Sequence, residues 1–410
     1  MNVPSLTPFQ IRTMLLLREE IALLDLRHEA EFATGHPLFA ANMAADRIAL
    51  EAGTRLPRKD VPIVLYDAGE GLVTEAAARF ASLGYRDIRR LEGGLETWRN
   101  AGFEIFIDVN SYAKAFGELV EACRHTPSLA AEEVARLIAN KADIRILDVR
   151  RPDEYATMNI PGSLSVPGAE LVLRAGHAAP DPATTIVVNC AGRTRSIIGT
   201  QSLINAGIAN KVVALRNGTM GWTLADQALE HGADRHGGIG LFEGANDRAR
   251  EVAYRAGVKH VNPDEALALE SDTTRTLYRF DVRTVEDFTA GHIAGFRHYP
   301  GGQLVQEIDM AAPVRGARIL LSDDKGVRAD MTASWLAQMA FDVYVLDGGY
   351  DGALETESPP ALPRPDPSHR YRRPYEGTEA SRDAMQAYFD WEYGLVEQLR
   401  RDGTHGFFVI

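Results

Sequence analysis

Cysteine is almost missing from this sequence, with only Cys123 and Cys190 among 410 residues. That excludes a disulfide framework and a thiolate metal site, and it turns attention to the reactivity of each thiol. Long apolar runs are missing as well. Met14–Leu17 and Ile21–Leu24 are separated by Arg18, Glu19 and Glu20, far short of the roughly 18 residues a membrane helix needs. The first residues lack a basic stretch followed by an apolar one, so no secretory signal is expected and the cytoplasm is the default location. There is no excess of positive charge either. A formal net charge of -13, with both signs interspersed, argues against general binding to nucleic acid or anionic membranes. Any anion must be held by a local site.

What is present is a repeat. The length suggests two to four domains, and 45% apolar residues provide each with a core. An Asp-x-Arg closes an apolar run three times: Asp25-Leu26-Arg27, Asp148-Val149-Arg150 and Asp281-Val282-Arg283. Each copy continues with an acid and an aromatic (Glu31-Phe32, Glu154-Tyr155, Asp287-Phe288) and then turn residues around Gly35, Gly162 and Gly295. A second β-branched run ends at Asp67, Cys190 and Asp323, at one identical offset from the three marker aspartates. An Ala-rich helical stretch and a short strand ending in glycine follow each time.

Strands alternating with helices at this spacing predict an α/β protein of three tandem domains, each a parallel sheet flanked by helices. The expected units are residues 1–107, 126–230 and 258–355. A helical connector at 108–125 and a Gly-rich linker at 231–257 join them. Residues 356–410 form a C-terminal extension: a Pro-rich linker (Pro359, Pro360, Pro363, Pro365, Pro367), a helix over Thr378–Arg401 with Ala384, Tyr388, Trp391, Leu395 and Leu399 at helical spacing, and the apolar tail Phe407–Ile410. The tail is expected to dock on a domain or on the partner of a homodimer rather than hang in water.

Ligands of such sheets bind beyond the carboxyl ends of the strands. That makes Asp67, Cys190 and Asp323 equivalent positions, of which one carries a nucleophile. The middle loop, Cys190-Ala191-Gly192-Arg193-Thr194-Arg195-Ser196, runs from strand into helix. Free N–H groups at the helix start, with Arg193 and Arg195, are expected to lower the Cys190 thiol and to hold an anion, the arginines offering planar forks to its oxygens. Gly192 and the small Ala191 let the backbone turn around the sulfur.

With these features the chain resembles the rhodanese (thiosulfate/mercaptopyruvate sulfurtransferase) superfamily over roughly residues 10–355. The resemblance rests on the Asp-x-Arg strand end, the Gly291-His292-Ile293-Ala294-Gly295 turn, the six-residue loop from Cys190 to Arg195 and the glycines after it. It implies that Cys190 takes a sulfane sulfur from thiosulfate or a related small anionic donor as a persulfide and passes it to a thiol or cyanide. It also implies that the N–H groups of Ala191, Gly192, Arg193, Thr194, Arg195 and Ser196 hold the persulfide while Arg195 orients the donor. Neither cofactor nor metal is expected. Two alternatives stand beside this reading: a persulfide-carrying scaffold serving a protein acceptor, and a phosphatase or arsenate reductase of the same superfamily. Phosphatase loops are one residue longer, and the glycine here follows the cysteine by two places rather than three.

The outer loops, Asp67-Ala68-Gly69-Glu70-Gly71-Leu72 and Asp323-Asp324-Lys325-Gly326-Val327-Arg328, have no thiol. They are expected to be structural, regulatory or acceptor-docking. Cys123 is expected to be a half-buried helix residue without chemistry. The Asp148–Arg150 pair, His36 and His292 are expected to be architectural, because they recur where the nucleophile does not.

Overall fold

A computed structural model describes residues 3–238, 242–360, 364–376 and 380–410. Pro363, Thr378 and part of the 231–257 linker lie outside them. Each repeat folds into its own sheet. The first holds β1 (Ser5–Leu6), β2 (Ile21–Asp25), β3 (Ala41–Asn42), β4 (Ile63–Tyr66) and β5 (Ile88–Leu91). The second holds β6 (Ser128–Leu129), β7 (Ile144–Asp148), β8 (Leu164–Ser165), β9 (Thr185–Asn189) and β10 (Val212–Leu215). The third holds β11 (Lys259–Val261), β12 (Leu277–Asp281), β13 (Arg297–His298), β15 (Arg318–Ser322) and β16 (Asp342–Leu346). β14 (Val314–Arg315) belongs to the third repeat by sequence but not by pairing.

The second and third sheets share one order, β6-β10-β9-β7-β8 and β11-β16-β15-β12-β13, and all their strand pairs are parallel. Their central strands are buried on both faces, which is why Ile186, Val187 and Val188 read as an unbroken apolar run rather than an alternating one.

The three units are not independent beads. β14 crosses to the first sheet and pairs antiparallel with β2, Val314 opposite Ala22 and Arg315 opposite Ile21. One continuous apolar core therefore includes Leu24 and Val64 of the first unit, Phe116 of the connector, and Ile319 and Trp335 of the third unit. The 231–257 segment also departs from a plain linker: Ala245–Arg255 is a helix packed on the third-unit helix Val327–Gln338, burying Ala245, Ala249, Val252 and Ala253 at helical spacing.

The connector is the helix Ser111–Arg124, and it is buried along most of its length because two helices flank it: Thr194–Asn205 of the second unit and the C-terminal helix Arg382–Asp402. The tail docks on its own chain. Phe407 packs edge-on against Tyr112 and Phe116, while the N–H of Phe408 donates to Gln338 O at 3.0 Å and that of Ile410 to Gln338 Oε1 at 3.0 Å.

Each marker pair is a buried ion pair at a strand end. Arg150 Nε and Nη2 donate to Asp148 Oδ1 and Oδ2 at 2.9 and 2.8 Å, and Arg27–Asp25 and Arg283–Asp281 repeat the arrangement. His36 and His292 are buried with Nδ1 on backbone oxygens of Pro37 and Phe288. The architectural role expected of these residues matches their contacts.

Candidate active site

β9 stops at Asn189, and the chain turns through Cys190–Arg193 into the helix Thr194–Asn205. The turn is held from outside by the helix Gly218–Leu224. Its first N–H groups meet the loop carbonyls, Thr219 N to Cys190 O at 2.9 Å and Met220 N to Ala191 O at 3.0 Å. Of the loop's own N–H groups, those of Gly192 and Ser196 reach the sulfur.

Cys190 is 2% exposed. Its Sγ lies 3.4 Å from Ser196 Oγ, whose hydroxyl donates to Arg193 O at 2.8 Å. Burial pushes the Cys190 thiol up, opposed by the positive charge of Arg195 and by hydrogen bonds from Ser196 and the Gly192 N–H. This corrects the expected lowering. The stabilising groups are present, but the desolvation of a buried thiolate outweighs them.

The two loop arginines part company. Arg195 forms a two-pronged bond to Glu154, Nη1 to Oε2 at 2.8 Å and Nη2 to Oε1 at 2.9 Å. Burial alone would raise the Glu154 carboxyl, but Arg195, then Arg151 and Arg150, hold it at about 2. The acid in the Glu154-Tyr155 marker thus positions the loop arginine. Arg193 turns away instead. Its Nε and Nη2 each donate to Glu118 at 2.8 Å, Nη2 also meets Glu121, and Nη1 reaches Tyr393 Oη at 3.1 Å. A guanidinium spent on two carboxylates of the connector helix has no fork left for a donor, so the expectation that Arg193 binds substrate through its side chain is corrected. It pins the loop to the connector.

Ala191 and Gly192 line the turn, and Thr194 packs closely on Gly117, where an added Cβ would stand 2.8 Å from Thr194 Cγ2. A narrow cavity of about 20 Å³ touches Cys190, Gly192 and Arg195, the space of one water-sized sphere. Its other walls come from outside the second unit: Lys114 of the connector, Gln306 of the third unit, and Tyr375, Tyr388 and Glu392 of the C-terminal extension. Arg195, Gln306 and Tyr375 also line an adjoining cavity of about 410 Å³ rich in arginine and glutamate, including Arg150, Arg151, Arg370 and Arg373. None of the five outside residues is identifiable from the loop motif. Tyr388 alone left a signal, because it falls at helical spacing with Leu395 and Leu399; Glu392 lies on the same face but is a polar residue the apolar pattern passes over.

In the outer units the equivalent loops are closed by their own aspartates. Asp67 accepts from Gly69 N at 3.1 Å and Leu72 N at 2.7 Å. Asp323 accepts from Lys325 N at 3.3 Å and Arg328 N at 2.8 Å, and pairs with Arg328 Nη1 at 3.1 Å. A built-in carboxylate fills the cradle that the middle loop leaves to sulfur and its ligand. Arg328, the counterpart of Arg195, is further tied to Asp287 and to Glu170 of the second unit.

The rhodanese-like domain model matches residues 13–101, 130–225 and 262–356. The chain belongs to the rhodanese family. The crystal structure of a thiosulfate sulfurtransferase from Pseudomonas aeruginosa is 47% identical, covers 100% of both chains and superposes with a TM-score of 0.95. Alr3790 from Anabaena sp. and BH2092 from Bacillus halodurans are 24% and 21% identical over 26% and 28% of this chain and 83% and 90% of their own, each with a TM-score of 0.24. No curated protein sequence matches.

Two features of this rhodanese lie outside the loop. Cys123 is exposed on the connector helix, more open than the half-burial expected of it. His28, Asp46 and His369 bring ligand atoms within 4.8 Å of one another. The imidazoles, however, stack at 3.6 Å and 12°, so their in-plane lone pairs run side by side instead of converging, and no metal is assigned to them. Among the described residues no helix is long and apolar enough to cross a membrane.

The Glu154–Arg195 pair gives a pH prediction. A carboxyl held at about 2 in the fold and near its ordinary value when unfolded contributes stability that is present above about pH 4.5 and lost as pH falls toward 2. The loss is at most about 3 kcal/mol, reduced by partial solvent screening. Urea midpoints measured across that window should fall less steeply for Glu154→Gln than for the native protein, and parallel curves would disprove the assignment.

Proposed function

We propose that this protein is a sulfurtransferase that moves a sulfane sulfur from thiosulfate, or a related small anion, through a persulfide on Cys190 to a thiol or cyanide. The observation that carries the reading is the loop. It has one thiol at a strand end, met by the N–H groups of Gly192 and Ser196, beside a guanidinium that Glu154 holds in place. The likeness to the Pseudomonas aeruginosa thiosulfate sulfurtransferase supports it.

In the first half-reaction the Cys190 thiolate attacks the outer sulfur of the donor. A new S–S bond forms, the donor's S–S bond breaks, and for thiosulfate sulfite leaves with the electron pair. In the second, an acceptor thiolate or cyanide takes the outer sulfur and Cys190 leaves as thiolate, so the kinetics are ping-pong. Arg195 neutralises the approaching anion, and the loop N–H groups carry the charge of the persulfide. Arg193 serves the same site by anchoring the turn. The units at 1–107 and 258–355 act as scaffold: β14 and the shared core join them, and Gln306 of the third unit reaches the Cys190 cavity.

The scaffold reading, in which a protein takes the sulfur, is less favoured because the cavity that Cys190 lines is narrow and walled by Tyr375, Tyr388 and Glu392 of the C-terminal extension. A phosphatase is less favoured because phosphatase loops are one residue longer than the loop from Cys190 to Arg195. The test is the intact mass of the protein after thiosulfate treatment and gel filtration. One added sulfur, removed by cyanide, is expected, and an unchanged mass defeats the proposal.

A further inference from the structure

Glu392 sits in the wrong place for an ordinary glutamate. It is 1% exposed on the C-terminal helix and lines the cavity that Cys190 lines. Its Oε1 accepts the hydroxyl of Tyr388 at 3.0 Å, and its Oε2 has no hydrogen-bond partner among the described residues. That bare oxygen points at the loop: a Cβ built on Gly192 would lie 3.9 Å from it. A buried carboxylate oxygen without a donor is costly, whereas a buried carboxyl O–H is a donor still unspent.

The neighbours do not force ionisation. Lys114 of the connector helix gives its ammonium to Asp108 at 2.7 Å, and Glu118 of the same helix is matched to Arg193 of the loop at 2.8 Å. Tyr388 lies on Glu392's own helix, and Tyr375 of the extension stands with its ring 5.7 Å from that of Tyr388. Burial first, and then the charge of Glu118, push the Glu392 carboxyl up to about 8, against the pull of Lys114, Arg193 and Tyr388. A neutral acid facing an anion site is the arrangement in which a carboxyl donates rather than repels.

We propose that Glu392 acts as a neutral acid at the Cys190 site: with its proton on Oε2 it adds an O–H donor to the loop's N–H groups and admits the anionic donor, and once ionised it repels that donor. The contact with the sulfur or donor oxygen is direct or through the single water-sized space of the cavity. No proton is consumed, since the carboxyl carries its hydrogen through both half-reactions while the electron pairs move as described above. The inference takes from the proposed function only that an anionic donor enters this cavity.

The test separates the two claims. Calorimetry of thiosulfate binding to Cys190→Ser requires no sulfur transfer. Its Kd should rise about tenfold between about pH 7 and pH 9, as a group titrating at about 8 ionises, and it should stay flat in Cys190→Ser/Glu392→Gln. In the enzyme with Cys190 intact, kcat/KM for thiosulfate should rise and then fall with pH, and Glu392→Gln should lose the descending limb. A Kd that is flat with Glu392 present overturns the proposal without any Glu392 variant. So does a Kd that still rises in the Gln protein. Absence of persulfide at every pH, with the pH-dependent Kd retained, would defeat the sulfurtransferase reading and leave Glu392 standing.

Discussion

Replacing Cys190 with serine is expected to lower thiosulfate-dependent sulfur transfer by on the order of 10⁴-fold or more and to eliminate the persulfide. Serine fits the space and keeps a contact to Ser196 Oγ, so the fold and its melting temperature should change little. What disappears is the soft nucleophile, because a hydroxyl in the same cradle ionises far less readily than a thiol and holds no sulfane sulfur. The outer loops offer no reserve. Asp67 and Asp323 fill their cradles with carboxylates bonded to the loop N–H groups. The other thiol, Cys123, is exposed on the connector helix, with no strand-to-helix loop around it. Cys123→Ser should therefore keep full activity. Stopped-flow sulfite release and intact mass measure both variants, and persulfide found on Cys123 in the Cys190→Ser protein would contradict this account.

Legibility in the sequence followed the physics of each feature. The repeat was readable because buried parallel strands need apolar runs and each strand end carries the same buried ion pair, so Asp148–Arg150 recurs as Asp25–Arg27 and Asp281–Arg283. The reactive position was readable because one loop of three has sulfur. The direction of Arg193 was not. An arginine three places from the thiol looks like an anion ligand until the connector helix brings Glu118 and Glu121 beside it. The raised thiol escaped for a related reason, since burial under the extension depends on Tyr375 and Tyr388 arriving from far along the chain. β14 is two residues long, and its crossing to the first sheet leaves no pattern to read. The acid of the Glu154-Tyr155 marker was visible, but only Glu154 meeting Arg195, as Asp287 meets Arg328, gives it a role. In the first unit Leu72 stands in place of the arginine, so the loop offers Glu31 no guanidinium to position.

The second large effect is expected at Gly218, the first residue of the helix that follows β10. Its φ is +55°, and a Cβ there would lie 2.3 Å from Cys190 O and 2.7 Å from Gly192 O. Both are backbone atoms that cannot swing aside. In Gly218→Ala the helix Gly218–Leu224 must back away, breaking Thr219 N to Cys190 O and Met220 N to Ala191 O and loosening the cradle. Left-handed strain plus the collision should cost about 2–4 kcal/mol, and a loop displaced by a fraction of an ångström to 1 Å should lower persulfide formation by on the order of 10²-fold. The first unit supplies the control. Gly94 has φ +63° and a Cβ there would meet Asp67 O at 2.6 Å, where Leu95 N donates at 3.0 Å. Gly94→Ala should lose similar stability by urea unfolding yet keep persulfide formation per folded molecule close to native, because its loop holds a carboxylate and no thiol. Equal activity losses in the two variants would mean that the effect at Gly218 is global instability. A loss confined to Gly218→Ala ties this helix-opening glycine to the geometry of the Cys190 loop.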